Sequence, residues 1–283
     1  MRDIRELRDD PSAYAAELQR RWGGLLSYRY IGRKYDSMDV GEVDNTVTLR
    51  RDMRNMSGGL LVAPLSISAP EGAVGSDRET VPNPVIHSCQ ILDPAHDVRR
   101  IEVVESESLH IGQRMGYSRS KIVDADRPER VIALTEGQGV KIGAVPEGLE
   151  KMPPNPLEIE DSPDLPPLWQ VFGGQKRSDG HWVLPELVSE LASPDAALHI
   201  GPQHVLLETA AADKVSQLVG GNPVQIHSWH VMFLARGKVG PFRADVDAFH
   251  GHGRTLGARV SLFDEGNGGR LTTCASAVFE LVG

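Results

Sequence analysis

The amino-acid sequence predicts an α+β chain made of two similar halves, each with one helix laid across a curved antiparallel sheet. Three observations support this prediction. Short motifs from the first half recur 140 positions later, a Pro-rich stretch separates the two copies, and each copy holds one helical segment followed by several alternating segments. Two copies of roughly 100 residues are too few and too long for a repeat array, so a fused pair of like domains fits better.

The repeat is carried by two pairs of motifs. NPVIHS at Asn83–Ser88 recurs as NPVQIHS at Asn222–Ser228, and the histidines of the two copies stand 140 positions apart. The same offset relates RMGYSRSKIVD at Arg114–Asp124 to RTLGARVSLFD at Arg254–Asp264. A run of matches at a nearly constant offset indicates an internal duplication.

Composition divides the chain into four segments. Residues 1–30 are predicted to be an N-terminal helical segment, 31–143 the first half, 144–168 a linker and 169–283 the second half. The linker holds seven of the 19 prolines, and such a segment sustains neither a helix nor a central strand. We therefore expect it to be extended and semi-rigid.

Helical spacing is clearest at the N-terminus. Ile4, Leu7, Ala15 and Leu18 recur at helical intervals among charged residues, which predicts an amphipathic helix over the first 22 residues. Pro11 is expected to interrupt this helix or to begin a second one, since proline fits the first turn. The segment is predicted to pack on the outside of the fold.

Each half is predicted to contain a short strand, a helix and then a sheet. The helix candidates are Ser57–Ala69 and Ile200–Leu218, and the small residues of the second candidate allow a sheet to pack closely on it. The short strands before them are predicted at Val43–Leu49 and His181–Leu184. β-Branched and aromatic residues with alternating character predict the later strands of the second half. These strands are Gln225–Ala235, Phe242–Phe249, Thr255–Asp264 and Gly269–Leu281, with a hairpin loop at Asp264–Gly269.

Composition and charge argue against several classes of protein. The 283 residues carry a net charge of −9, so nucleic acid is not expected to be the main partner. No apolar run approaches the ~18 residues of a membrane-spanning helix, and the charged N-terminus lacks the apolar core of a signal peptide. Cys89 and Cys274 provide no disulfide framework, so a cytoplasmic location is expected.

The start of the second helix candidate resembles a known motif. HIGPQHVLLETA at His199–Ala210 resembles the helix-start motif of the hotdog acyl-CoA thioesterases of the phenylacetate and hydroxybenzoyl type, which reads roughly H-G-G followed later by L-A-D-T-A. Gly201 takes the place of the second glycine and Glu208 the acidic place, while Ile200 replaces the first glycine. The resemblance covers the second half well, and the first half mainly through the repeat.

The resemblance implies a tandem double-hotdog chain that hydrolyses acyl-CoA thioesters, with CoA as part of the substrate and no separate cofactor. Thioester hydrolysis needs donors for the developing oxyanion and a carboxylate that attacks or activates water. The backbone N–H groups of Ile200 and Gly201 are the predicted donors, and Glu208 is the predicted base or nucleophile. His204 lies at i−4 from Glu208, so the two are expected to pair. The predicted substrate-binding residues are His199, Gln203, His204, Gly58 and Gly59.

The first half lacks the acidic residue. Aligning Gly59 with Gly201 brings Ser66 to the position of Glu208, although the pair Gly58–Gly59 could still bind a carbonyl. A single acidic site per chain is therefore expected. In hotdog pairs the site lies between the two halves, which implies that Gly58 or Gly59 faces a pocket that ends at Glu208.

Other functions are compatible with the same residues. A non-catalytic protein that binds acyl or CoA esters is the main alternative, favoured by Ile200 in place of glycine and by Ser66 in place of an acid. A hydratase is a third alternative, because NPVIH resembles the N-P-x-H core of hotdog hydratases, although here both copies follow the helix candidate. His250 and His252 resemble a metal clip, but no third ligand lies nearby, so loop histidines are favoured and no metal is expected. The resemblance further implies a homodimer or larger assembly.

Overall fold

A computed structural model describes residues 1–32, 45–69, 80–146 and 157–282. Within these ranges the fold is built on one eleven-stranded antiparallel sheet, accompanied by a small two-stranded one formed by β8 and β9. The strands in chain order are β1 (Thr46–Thr48), β2 (Thr80–Ile91), β3 (Arg100–Ile111), β4 (Met115–Asp124), β5 (Arg127–Ala144), β6 (Gln175–Lys176), β7 (Trp182–Leu184), β8 (Ala192–Ser193), β9 (Ala197–Leu198), β10 (Val224–Phe233), β11 (Phe242–His250), β12 (Thr255–Asp264) and β13 (Arg270–Leu281).

Helices are few by comparison with strands. The α-helices of the described ranges are α1 (Pro11–Gly24), α2 (Leu26–Arg29), α3 (Val62–Ser68), α4 (Leu168–Val171) and α5 (Ile200–Leu218). Short 3-10 turns lie at Ile4–Leu7, Arg51–Met53, Ser189–Leu191 and Glu265–Asn267. The mixed α+β class predicted from the sequence, with a large antiparallel sheet and little helix, is confirmed.

The order of strands is equivalent on the two sides of the centre of the sheet. β2 and β10 pair in the middle; β5, β4 and β3 follow on one side, and β13, β12 and β11 on the other. The register repeats as well. Lys121 faces Leu134 across β4 and β5, and Ser261 faces Cys274 across β12 and β13, 140 positions later. The halves are thus joined by a continuous ladder of backbone hydrogen bonds.

The second-half elements match their predicted bounds closely. α5 and β12 have the predicted limits, and β10, β11 and β13 differ by one or two residues at their ends. α5 is buried along most of its length, because Leu206, Leu207 and Ala211 are almost fully covered by the sheet and the neighbouring helix. The loop after β12 holds a 3-10 turn followed by Gly268 and Gly269, both with positive φ, as a hairpin loop requires.

The first-half helix is shorter than predicted. α3 begins at Val62 instead of Ser57, since Gly58 has a φ of +84°, which a right-handed helix cannot include. The Asn55 side chain also accepts hydrogen bonds from the N–H groups of Ser57 and Gly59, which holds this stretch in a turn. The predicted helix Ser57–Ala69 is therefore wrong over its first five residues.

The N-terminal segment forms a 3-10 turn and then α1. Asp10 accepts a hydrogen bond from the Ala13 N–H and Pro11 opens the helix, so the predicted interruption is confirmed. Ile4, Tyr14 and Leu18 form a small buried cluster separate from the main core. The segment contacts both halves, because the Ile4 N–H donates to the Pro194 carbonyl and the Arg5 guanidinium donates to the Ile142 carbonyl at 3.3 Å.

Both halves contribute to one main hydrophobic core. Buried residues of α3, α5, β2 and β10 belong to the same cluster, which the curved sheet encloses. The predicted linker lies partly outside the described residues, as do the first two residues of the strand predicted at Val43–Leu49. The domain boundaries at 30, 143 and 168 stay predictions. No helix in the described ranges is long and apolar enough to cross a membrane.

Candidate active site

The carboxylate of Glu208 lies in the interior, where α5 meets α3. Its side chain accepts two backbone hydrogen bonds from the other half of the chain: Oε1 from the Val62 N–H at 2.7 Å, and Oε2 from the Ala63 N–H at 2.8 Å. Glu208 is only 3% exposed. An acidic residue this deeply buried is rare unless it is paired, and here two amides from a distant segment are its partners.

The two amides are free because of where α3 begins. The first N–H groups of a helix have no acceptor within the helix, and Leu61, which precedes the first turn, makes no side-chain cap. Pro64 follows directly and has no N–H to compete. Val62 and Ala63 therefore present two neighbouring donors to whatever acceptor lies opposite them.

Burial changes the protonation of Glu208. Removal from water disfavours the charged form and raises the pKa of this carboxyl from its ordinary 4.5 to about 7, and the bonds from Val62 and Ala63 offset part of that rise. The carboxyl therefore titrates near neutral pH. This is the range in which a carboxylate accepts a proton most effectively at physiological pH.

The start of α5 lies apart from this carboxylate. The Gly201 N–H donates to His199 Nδ1 at 3.2 Å, and the Ser27 hydroxyl lies 2.9 Å from the same nitrogen. A Cβ at position 201 would collide with Ser27 Oγ, so the glycine makes room for the N-terminal segment. The structure brings His199, Ile200 and Gly201 together with α2, and it does not bring them to Glu208, which lies two turns further along.

The side chains of Gln203 and His204 are engaged within the second half. Gln203 donates to the Leu198 carbonyl at 2.9 Å and accepts from the Thr273 hydroxyl. His204 accepts at Nδ1 from Trp229 Nε1 at 3.0 Å. The expected pairing of His204 with Glu208 is not observed, because each side chain has another partner.

Gly58 and Gly59 lie in the turn that leads into α3. A Cβ at Gly59 would collide with the side chain of Gln225, which reaches over from β10 and accepts a hydrogen bond from Asn55 at 2.8 Å. Gly59 therefore allows the two halves to approach closely, whereas a Cβ on Gly58 would meet His96 of its own half. The amides that meet Glu208 belong to residues three and four positions after Gly59.

The sequence reasoning missed Val62 and Ala63 as the donors opposite Glu208. Backbone N–H groups carry no residue signature, so no motif could identify them. Pro64 was the residue in the sequence that indicated the start of the helix. Proline is common in the first turn of a helix, so it would have placed that start near Val62. The predicted acid itself, Glu208, is the residue that the structure places in contact with free donors.

Several solved structures have a fold similar to that of this chain. The tesB protein of Mycobacterium avium subs paratuberculosis superposes with a TM-score of 0.56 at 13% identity, covering 87% of this chain and 97% of that one. A protein with the hot dog fold from Alicyclobacillus acidocaldarius gives 0.54 at 11% identity, over 84% and 92% of the two chains. The chain has the hotdog fold.

A further hotdog relative in structure is the acyl-CoA thioesterase II TesB2 of Mycobacterium marinum. It gives a TM-score of 0.53 at 14% identity and covers 87% of this chain and 96% of that one. No family model matches the sequence, and no curated protein matches it. The similarity in fold thus confirms the hotdog resemblance predicted from the sequence. At sequence identities of 11–14%, this similarity concerns the fold alone.

Proposed function

We propose that this hotdog chain hydrolyses acyl-CoA thioesters at a site between α3 and α5. The observation that carries the proposal is the buried carboxylate of Glu208 held by the amides of Val62 and Ala63. One half supplies two aligned donors and the other supplies an acid with a pKa near neutrality. These are the two components that thioester hydrolysis needs, an oxyanion site and a base or nucleophile.

In the proposed reaction the thioester carbonyl oxygen takes the place of the carboxylate at the two amides. Negative charge develops on this oxygen in the transition state, and the N–H groups of Val62 and Ala63 stabilise it there. The displaced Glu208 carboxylate then stands beside the carbonyl carbon. In one route it removes a proton from the water that attacks this carbon, the C–S bond breaks, and the proton passes from Glu208 to the departing CoA sulfur. In the other route it attacks the carbon itself, CoA leaves as a thiolate, and water then hydrolyses the resulting mixed anhydride to the free acid and Glu208.

This proposal changes the oxyanion donors expected from the sequence. Ile200 and Gly201 were expected to be the donors, but the Gly201 N–H is bonded to His199 and covered by Ser27. Val62 and Ala63 replace them because they are the amides within reach of the acid. The wider expectation, that the site lies between the two halves, is kept in the proposal.

We also propose that the fold consists of two fused hotdog domains. The mirrored strand order and the repeated register across β4–β5 and β12–β13 support this interpretation. The similarity in fold to the acyl-CoA thioesterase II TesB2 of Mycobacterium marinum supports an acyl-CoA substrate for this chain. A homodimer stays part of the proposal; light scattering should give about twice the mass of one 283-residue chain.

The deciding experiment measures thiol release from short, medium and aromatic acyl-CoA esters. Wild-type protein should hydrolyse at least one ester, and Glu208→Gln, which keeps the size of the side chain but removes the base, should not. Calorimetry on the same esters separates the alternative function. Binding without turnover by the wild type would favour the non-catalytic acyl-CoA binding protein, and turnover that survives in Glu208→Gln would refute the site.

A further inference from the structure

Two buried histidines form a polar pair that the proposed reaction does not use. His87 of β2 and His204 of α5 are 1% and 0% exposed, and their rings meet edge to face with centroids 5.3 Å apart. Each ring uses one nitrogen in a hydrogen bond and leaves the other without a partner among the described residues. A buried polar atom without a partner destabilises a fold, so we expect a bound group to form hydrogen bonds with these two nitrogens.

The unpartnered atom of His204 is a donor. Trp229 Nε1 can only donate, and it donates to His204 Nδ1 at 3.0 Å. Nδ1 therefore carries the lone pair and Nε2 carries the hydrogen. Burial lowers the pKa of His204 well below its ordinary value, so the ring is neutral at pH 7 and this tautomer holds.

The unpartnered atom of His87 is an acceptor. Its Nε2 lies 3.0 Å from the Ala69 carbonyl oxygen, which can only accept, so Nε2 carries the hydrogen and Nδ1 the lone pair. Burial lowers the pKa of His87 to about 4, and this ring too is neutral at pH 7. The two neighbouring rings thus leave one donor and one acceptor on adjacent buried side chains.

We propose that His87 and His204 form a binding site for a single hydroxyl group. A hydroxyl both donates and accepts, so it satisfies Nδ1 of His87 and Nε2 of His204 together. A carbonyl would satisfy only the donor, an ammonium group only the acceptor, and an alkyl group neither. The pair is therefore selective for O–H chemistry.

Two sources can supply this hydroxyl. His204 precedes Glu208 by one helical turn, which separates them by about 6 Å along α5. If the proposed hydrolysis is correct, on which this source rests, the hydroxyl belongs to the acyl chain of the thioester, a short distance beyond the attacked carbonyl. Alternatively it belongs to a water molecule enclosed in the interior, a common partner for buried polar atoms.

Two conservative variants remove one contact each. His204→Asn keeps an acceptor near the position of Nδ1 for Trp229 and deletes the Nε2–H donor. His87→Gln keeps a donor near the position of Nε2 for the Ala69 carbonyl and deletes the Nδ1 acceptor. His227→Gln is the matched control: His227 occupies the equivalent place in the repeated motif, but its side chain is 37% exposed and lies 3.2 Å from Glu280.

The kinetic arm compares octanoyl-CoA with octanoyl-CoA esters that carry one hydroxyl, moved one carbon at a time along the chain. If the substrate supplies the hydroxyl, wild-type kcat/KM should be at least about 10-fold higher for one hydroxylated ester than for octanoyl-CoA. Both His204→Asn and His87→Gln should abolish this preference, so that within each variant the hydroxylated esters and octanoyl-CoA have similar kcat/KM. The His227→Gln variant should keep the preference.

The structural arm is a high-resolution crystal structure of the free protein. If water supplies the hydroxyl, an ordered oxygen should lie within hydrogen-bond distance of both nitrogens in the wild type and be absent in either variant. In that case the wild type should hydrolyse the hydroxylated esters and octanoyl-CoA with similar kcat/KM. Absence of both the preference and the oxygen would overturn the proposal, as would a preference that survives in both variants.

Failure of the proposed hydrolysis is distinguishable from failure of this site. If no ester is hydrolysed, binding of the same esters by calorimetry replaces the kinetic comparison. An affinity gain of about 10-fold for one hydroxylated ester, lost in His204→Asn and His87→Gln, would still support the site. Equal affinities together with an empty site in the crystal structure would overturn it.

Discussion

The two helices that meet at Glu208, α3 and α5, differ in length and in the chemical groups that they present. α5 has 19 residues and carries Glu208, whereas α3 has seven and carries Ser66 at the aligned position. The first amides of α3 meet the carboxylate of the other half, while the start of α5 is covered by Ser27 and His199. In the proposed site each half therefore contributes one part, an acid from α5 and donors from α3.

The same comparison shows how the parts of the proposed site are divided. α3 contains no acidic residue, and the buried hydroxyl of Ser66 has no hydrogen-bond partner among the described residues. The amides at the start of α5 are in turn covered by the N-terminal segment. The proposed site is therefore single, and the comparison of the two helices can be tested by substitution.

The largest expected effect separates the two aligned positions. Glu208→Ala should lower kcat for thioester hydrolysis by at least about 10²-fold, because a positioned base contributes 10²–10⁴. Ser66→Ala should change kcat by less than about 3-fold, since its hydroxyl makes no hydrogen bond among the described residues. Thiol release and circular dichroism of both variants check the pair together. Similar losses in the two variants would contradict the assignment of the acid to α5 alone.

A second prediction uses the pKa of Glu208. Folding raises this pKa from 4.5 to about 7, so between these values the folded protein holds a proton that the unfolded chain has released. The carboxyl thus lowers the free energy of unfolding progressively as pH rises from about 4.5 to 7, and the loss is complete above 7. The free energy of unfolding of Glu208→Gln, measured relative to that of wild type, should therefore increase by up to about 3 kcal/mol over this pH range.

Urea unfolding of both proteins at several pH values measures this difference. Ser66→Ala is the control, because it keeps Glu208 and should differ from wild type by the same amount at every pH. A stability gap between wild type and Glu208→Gln that does not change with pH would show that the carboxyl titrates normally. The same ionisation should govern activity. kcat/KM of the wild type should rise with pH and level off above an apparent pKa near 7.

The smallest predicted effect concerns the two aligned glycines. Gly201→Ala places a methyl group against Ser27 Oγ, and Gly59→Ala places one against the Gln225 side chain. Each should lower the free energy of unfolding by about 1–3 kcal/mol, the usual cost of overpacking. The double substitution Gly201→Ala with Ser27→Ala should recover most of the loss at position 201.

Gly257 provides the control for the glycine series, because a Cβ there would make only ordinary contact with the Ala277 carbonyl. Gly257→Ala should leave the unfolding midpoint nearly unchanged. Equal stability of all three variants would show that neither glycine is required for a close approach between segments.

Elements whose signals are local could be predicted from the sequence. α5 and β12 have their predicted limits because apolar periodicity and a proline in the first helical turn lie within α5, and a glycine-rich loop directly follows β12. The offset of 140 found in the sequence recurs in the pairing of β4 with β5 and of β12 with β13. Glu208 could be singled out because it is the acidic residue within an otherwise apolar stretch of helix.

The groups that contact the carboxylate of Glu208 could be identified only from the tertiary structure. Val62 is 146 positions from Glu208, and Ser27 is 172 positions from His199, so these contacts depend on how the halves pack. Backbone amides are common to nearly every residue type, and no pattern distinguishes the two that remain free. A tautomer such as that of His204 is likewise fixed by a partner on another element. Local residue patterns therefore predict the helices, strands and the acid, whereas the donors, the closure of α5 and the buried histidine pair arise from long-range packing.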